Sequence, residues 1–163
     1  MKKDHVDHIL AQWQTLKPEL DSSPVGIIGR ISRIEKIMRP QIQAGFSSYD
    51  ISSIEFDILA TLRRNNIALT PTQLYQSAML SSGAMTTNLD KLENRGLVLR
   101  RSNAQDRRSC TITLTEQGIE LIDRAYIDHL KNEEQMLKPL SIDERAQLTA
   151  LLQRWLAENE NED

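Results

Sequence analysis

The chain has one cysteine, Cys110, in 163 residues, which excludes an internal disulfide framework and a cysteine-based structural zinc site. Histidine is scarce too. His5 and His8 stand three apart on a helical stretch with no second pair in view, so they read as a surface helix, and no metal or cofactor is expected. Aromatic residues make up 4% and hydrophobic residues 39% of the sequence. With Leu, Ile, Glu, Gln and Arg frequent, this composition points to a mainly α, soluble chain. No apolar run approaches the roughly 20 residues that span a bilayer, and the leading MKKDHVDH lacks the apolar core of a secretory signal. A cytoplasmic protein without membrane contact is expected. The GxSxG, P-loop, HExxH and dinucleotide fingerprints are all missing, and no enzyme is expected.

Positive charge is present, but in one place. The whole chain carries a net charge of −3, yet residues 81–110 hold six Lys/Arg (91, 95, 100, 101, 107, 108) against three acids. That local excess is the electrostatic footprint expected where phosphates are contacted. The same stretch begins as a helix, with Ser81 or Ser82 as cap, Met85, Leu89 and Leu92 along one stripe, and Gly96 at its end. Opposite the stripe lie Gly83, Thr87, Asp90 and Lys91, flanked by Ala84 and Thr86, so short polar side chains face outward. After Gly96 the period changes to two over 97–101 and again over 110–114, around the polar SNAQDRRS. A helix followed by a basic hairpin is a helix plus wing.

The remaining chain frames that element. Val6, Ile9, Leu10, Trp13 and Leu16 form a first helix ending before Pro18. Asp21 or Ser22 caps a second, with Pro24 in its first turn and Ile27, Ile31, Ile34 and Met38 as its stripe; Pro40 is expected to kink or shorten it. SSIE from Ser52 is a capping box for a third helix with Phe56, Leu59, Ala60 and Leu62 inward, broken at Asn65 and Asn66. Thr70-Pro71-Thr72-Gln73 starts a short fourth helix that meets the polar-faced one at a sharp turn, completing a winged helix-turn-helix. Thr115 caps a long helix, and SIDE from Ser141 caps the last one.

These readings predict a single domain over 1–163, with a winged DNA-binding lobe over 52–114 and dimerisation helices over 1–46 and 115–163. The terminal helices carry more apolar surface than the small lobe covers, so a two-fold homodimer on a palindromic DNA site is expected. Base contacts would come from Gly83, Thr86, Thr87 and Lys91. Phosphate contacts would come from Ser81, Ser82 and the arginines, Arg100 among them.

The order of elements, LSSGAMTTNLDKLENRGLVLR, the wing DRR at Asp106 to Arg108 and the following LTEQG resemble the MarR family of dimeric transcriptional regulators. The resemblance covers 24–156. It implies a winged helix-turn-helix dimerised through terminal helices and, usually, repression relieved by small anionic or phenolic ligands. It also implies that Arg107 or Arg108 reaches the minor groove while Asp106 holds the neighbouring arginine. The extra N-terminal helix with Trp13, ELDSSPVGIIGR and EFDILATLRR are similar to the urate-responsive branch of that family. By that resemblance Trp13, Asp57 and Arg64, with Arg95 as a further candidate, form a pocket for a planar aromatic or purine anion. Ligand binding would then shift the dimer to a spacing that fits DNA poorly.

Other readings of the same residues stay open. Trp13 also fits a core or interface aromatic, Asp57 and Arg64 a salt-bridge network on one helix face, and the wing arginines a solvated hairpin. Winged helices also serve as protein-interaction modules, and Cys110 fits either an inert strand residue or an oxidant sensor.

Overall fold

The computed structural model describes residues 2–78, 82–102 and 110–160. The chain falls into two compact units, Met1–Ala44 and Gly45–Asp163.

In the first unit α1 (His5–Leu16) opens on a cap that the sequence reading missed. Asp4 accepts from the backbone N–H of Val6 and Asp7, and Asp7 returns the bond to the Asp4 N–H, so the first turn is closed in both directions. Arg30 of α2 (Ser23–Gly45) then bonds Asp4 at 2.7 Å and Asp7 at 2.6 Å. This ties the two helices beside the buried Val6, whose methyl groups approach Gly29. Asp21 holds the start of α2 by accepting from the Ser23 backbone N–H at 2.9 Å. Pro40 lies inside α2 and, of the two effects expected of it, does not shorten the helix, which runs on to end at Gly45. One absent N–H removes a single rung, and the turns on either side keep theirs.

The second unit holds most of the core. After a 3-10 turn over Ser47–Tyr49 comes α3 (Ser53–Asn65), capped by Ser52 and Glu55 and ended by Asn66 in the left-handed region at φ 53°. Phe56, Ile58, Leu59 and Leu62 of α3 are buried, whereas Ala60, expected inward, is only half-buried. Next are α4 (Pro71–Ser77), capped by Thr70 and Gln73, and α5 (Ser82–Asn94). Gly96, at φ +68°, makes the turn into β1 (Val98–Ser102), where a side chain would be strained. β1 pairs antiparallel with β2 (Cys110–Leu114), Val98 facing Leu114 and Ser102 facing Cys110. Leu69 also pairs with Ile112 through both backbone bonds, at 3.1 and 2.8 Å, anchoring the hairpin to the loop before α4. A single paired residue has no periodicity, so nothing in the local residue pattern marks it.

Thr115 caps α6 (Glu116–Met136) and Ser141 with Glu144 caps α7 (Ile142–Ala157). Arg145 closes the corner between them. It donates to the carbonyls of Leu140 and Leu137 at 3.1 and 2.9 Å and to both Glu134 oxygens at 2.8 Å. No residue of α2 or α7 is buried. Among the described residues no helix is long and apolar enough to cross a membrane, and no cluster of three or more His, Cys, Asp or Glu could hold a metal ion.

Candidate nucleic-acid interface and ligand cleft

Three buried residues orient α5. Met85, Leu89 and Leu92 point into the core, which leaves Thr86, Thr87, Asp90 and Lys91 exposed on the opposite side. Asn88 is buried as well, a polar residue on the inner face that the apolar stripe did not reveal. The outward face is therefore short-chained except for Lys91, and backbone can approach a groove closely along it. Ser82 and Gly83 lie in the first turn of α5. Ser81 and the wing tip with Asp106, Arg107 and Arg108 lie outside the described residues.

Arg100 is placed differently from a free phosphate contact. From β1 its guanidinium pairs with Asp90 and stands 3.4 Å from Glu93, both on α5. The wing strand is thereby braced against the helix, and the one acid on the helix's outer face is neutralised. Arg101, the next residue of the strand, is exposed. Cys110 is half-buried at the start of β2.

A second site lies between α3 and α6. Ala60, Arg63, Arg64, Ile122, Asp123, Tyr126 and Ile127 line an open cleft of about 550 Å³. Its two arginines have different partners. Arg63 is bound to Asp123 through two bonds of 2.7 and 3.0 Å, while Arg64 donates to the carbonyl oxygen of Ser77 at the end of α4. Asp57 stands seven residues before Arg64 on α3. Burial raises its carboxyl above the ordinary value of 3.8, and the charges of His129 and Arg64 offset part of that rise. Beside it Phe46 stacks on Phe56 at 4.3 Å, and His129 sits 4.8 Å from the Phe56 ring while bonding Glu133 at 3.1 Å.

The structure thus brings Asp57 and Arg64 onto one helix of the second unit. Arg95 lies elsewhere: it donates to the carbonyls of Asp50 and Tyr49, the latter at 3.2 Å. It lines a separate depression with Ser47, Glu55 and Lys91. Trp13 belongs to the first unit, 44% exposed on α1. The bond from Arg64 to Ser77 and the pairing of Arg63 with Asp123 join residues 13 and 60 positions apart, beyond any local pattern.

Residues 71–114 thus hold a short helix, a second helix with a polar outer face and a two-stranded wing braced against it. Residues 51–110 match the model of the MarR family. Over 151 residues, 91% of this chain and 91% of the relative, the sequence is 40% identical to the HTH-type transcriptional regulator PecS of Dickeya dadantii. The chain belongs to the MarR family. It is also 27% identical over 124 residues to the HTH-type transcriptional regulator MhqR of Bacillus subtilis, covering 76% of this chain and 85% of the relative. Its fold matches a mutant E. coli MarR complexed with operator DNA, with a TM-score of 0.70 and 25% identity over 88% of this chain and 97% of that one. Like other MarR-family proteins, the chain is a non-enzymatic, DNA-binding transcriptional regulator, mainly helical with a two-stranded wing.

Proposed function

We propose that this MarR-family protein is a homodimeric repressor in the cytoplasm, which occupies a palindromic operator and leaves it when a small planar anion such as urate binds. The observation that carries the DNA-binding part is α5, whose exposed Thr86, Thr87 and Lys91 are set opposite a buried stripe. In this reading Gly83, Thr86, Thr87 and Lys91 face base edges. Ser81, Ser82, Arg107 and Arg108 hold phosphate or the minor groove, Asp106 positions the wing arginines, and Arg100 sets the angle of the wing. Exposed apolar side chains support the dimer: Ile27, Ile31 and Ile34 on α2, and Leu148, Leu152 and Trp155 on α7. The recognition helices of such a dimer lie about 34 Å apart, one turn of duplex.

For the ligand, Arg64 supplies a cation to the cleft, and Asp57, earlier on the same helix and outside the residues that line the cleft, a carboxylate that a nearby anion would repel. The Trp13 indole is the stacking surface expected from the resemblance. Domain organisation follows the same reading, with residues 52–114 as the DNA-binding lobe and 1–46 with 115–163 as dimerisation helices. Release needs little energy: a tenfold loss of affinity is about 1.4 kcal/mol of differential binding.

Fluorescence anisotropy with duplexes of palindromic sequence, run beside light scattering, tests the proposal. Arg107→Ala with Arg108→Ala should weaken binding and flatten the salt dependence by about two units while the dimer persists. A monomer in solution, or duplex binding indifferent to salt, would overturn it. Urate titrated into wild type and Trp13→Phe, with Trp155 the only other indole, separates stacking at Trp13 from an interface role.

A further inference from the structure

We propose that Arg64 is the link through which an anion in the α3/α6 cleft acts on the helix-turn-helix, by being drawn off the carbonyl that ends α4. The proposal rests on the ligand reading above and concerns how binding is transmitted.

Arg64 has two faces to serve. It lines the cleft with Ala60, Ile122, Tyr126 and Ile127, and its Nη2 donates to the Ser77 carbonyl oxygen. That carbonyl belongs to the last residue of α4, a helix of only seven residues, where end carbonyls lack the regular intrahelical donor. The guanidinium satisfies an end carbonyl and places a positive charge at the negative end of the helix. The Ala78 backbone N–H also donates to the Leu74 carbonyl there, at 2.9 Å. Leu74 and Ala78 are buried, so this last turn is what α4 packs into the core just before α5 begins at Ser82.

The neighbouring Arg63 is held by both oxygens of Asp123, an acceptor that an incoming anion does not readily displace. Arg64 is held by a neutral carbonyl, which a carboxylate, enolate or urate oxygen exceeds as an acceptor because its bond is charge-assisted. An anion in the cleft therefore recruits Arg64 in preference to Arg63. The Ser77 carbonyl then loses its donor, the end of α4 loosens, and α5 loses the fixed neighbour that sets its angle to DNA. Ligand and operator compete for one guanidinium geometry, which is a coupling between two sites.

Hydrogen exchange on the full-length dimer, with urate as probe and salicylate as a second anion, tests the link. Urate should accelerate exchange of the amides at the end of α4 about tenfold, the change that 1.4 kcal/mol produces. Arg64→Gln should show the fast exchange without urate, bind operator as weakly as liganded wild type, and respond no further. Arg63→Gln, made in the same cleft, should leave α4 exchange as in wild type. A residue with a merely structural role would give no urate-dependent change. If urate binds by calorimetry and lowers operator affinity while α4 exchange stays constant, the link is wrong and ligand release stands. Arg64→Gln with wild-type α4 exchange also overturns the link. If neither anion binds, the ligand reading fails and the link fails with it.

Discussion

A methyl group on the Cα of Gly118 would lie 2.0 Å from the carbonyl oxygen of Leu97. The first turn of α6 therefore rests directly on the backbone at the root of the wing. The same oxygen accepts from the Thr115 backbone N–H at 3.1 Å, and the Thr115 hydroxyl accepts from the Gly118 N–H at 2.9 Å while donating to the Gly96 carbonyl at 2.7 Å. The glycine of LTEQG is thus required by a close approach, since the atoms nearest the added methyl are backbone rather than the end of a flexible side chain.

Gly118→Ala should force α6 and the hairpin apart. Overpacking against fixed backbone costs about 1–3 kcal/mol, which for a chain of this size lowers the melting temperature by roughly 2–4 °C per kcal/mol. Thermal unfolding by circular dichroism reads it. A melting temperature within a degree of wild type would mean that the strand root moves freely.

The brace from Arg100 to Asp90 and Glu93 predicts an asymmetry in DNA binding. Arg100→Gln removes a cation from the wing and also leaves Asp90 unpaired on the face proposed to meet DNA, so operator affinity should fall about tenfold or more. Asp90→Asn in that background should restore part of the loss, although Asp90→Asn alone changes folding stability little, since an exposed ion pair contributes about 0–1 kcal/mol. Equilibrium binding across the double-mutant cycle measures it. Strictly additive effects would show that Arg100 acts as an ordinary phosphate contact.

Local chemistry made much of this fold legible in the sequence. Ser52 with Glu55, Thr70 with Gln73, and Ser141 with Glu144 announce helix starts because each cap is built from residues three apart, and the structure has all three boxes. Gly96 and the change of period after it marked the wing for the same reason. Partnerships across distance left no such mark. The Asp123 that holds Arg63, the Ser77 carbonyl that takes Arg64, the Asp50 and Tyr49 carbonyls that engage Arg95, and the Leu69 rung beside Ile112 depend on tertiary packing. The resemblance set Arg64 and Arg95 together as ligand candidates; the structure gives them different partners and different depressions.

Asp57 gives a prediction whose sign follows from its burial. Desolvation raises its folded-state carboxyl above the ordinary 3.8, outweighing the attraction of His129 and Arg64. Between 3.8 and the raised value the folded protein holds a proton that the unfolded chain has released, so this group's contribution to stability falls as pH rises through that window. Above the window the penalty for a buried charge is fully present; below 3.8 both states are protonated and it is absent. Asp57→Asn should therefore be more stable than wild type at pH 7, and the gap should close as pH falls toward the ordinary carboxyl value. Melting curves of the two proteins at neutral and acid pH provide the comparison. A gap that stays constant, or a variant less stable at neutral pH, would mean that attraction to the charges of Arg64 and His129 outweighs burial. On the proposed ligand reading the same substitution removes a carboxylate that would repel an incoming anion, so urate should bind the variant more tightly than wild type while releasing operator less. Tighter binding combined with undiminished release would remove Asp57 from the switch and leave it a burial effect alone.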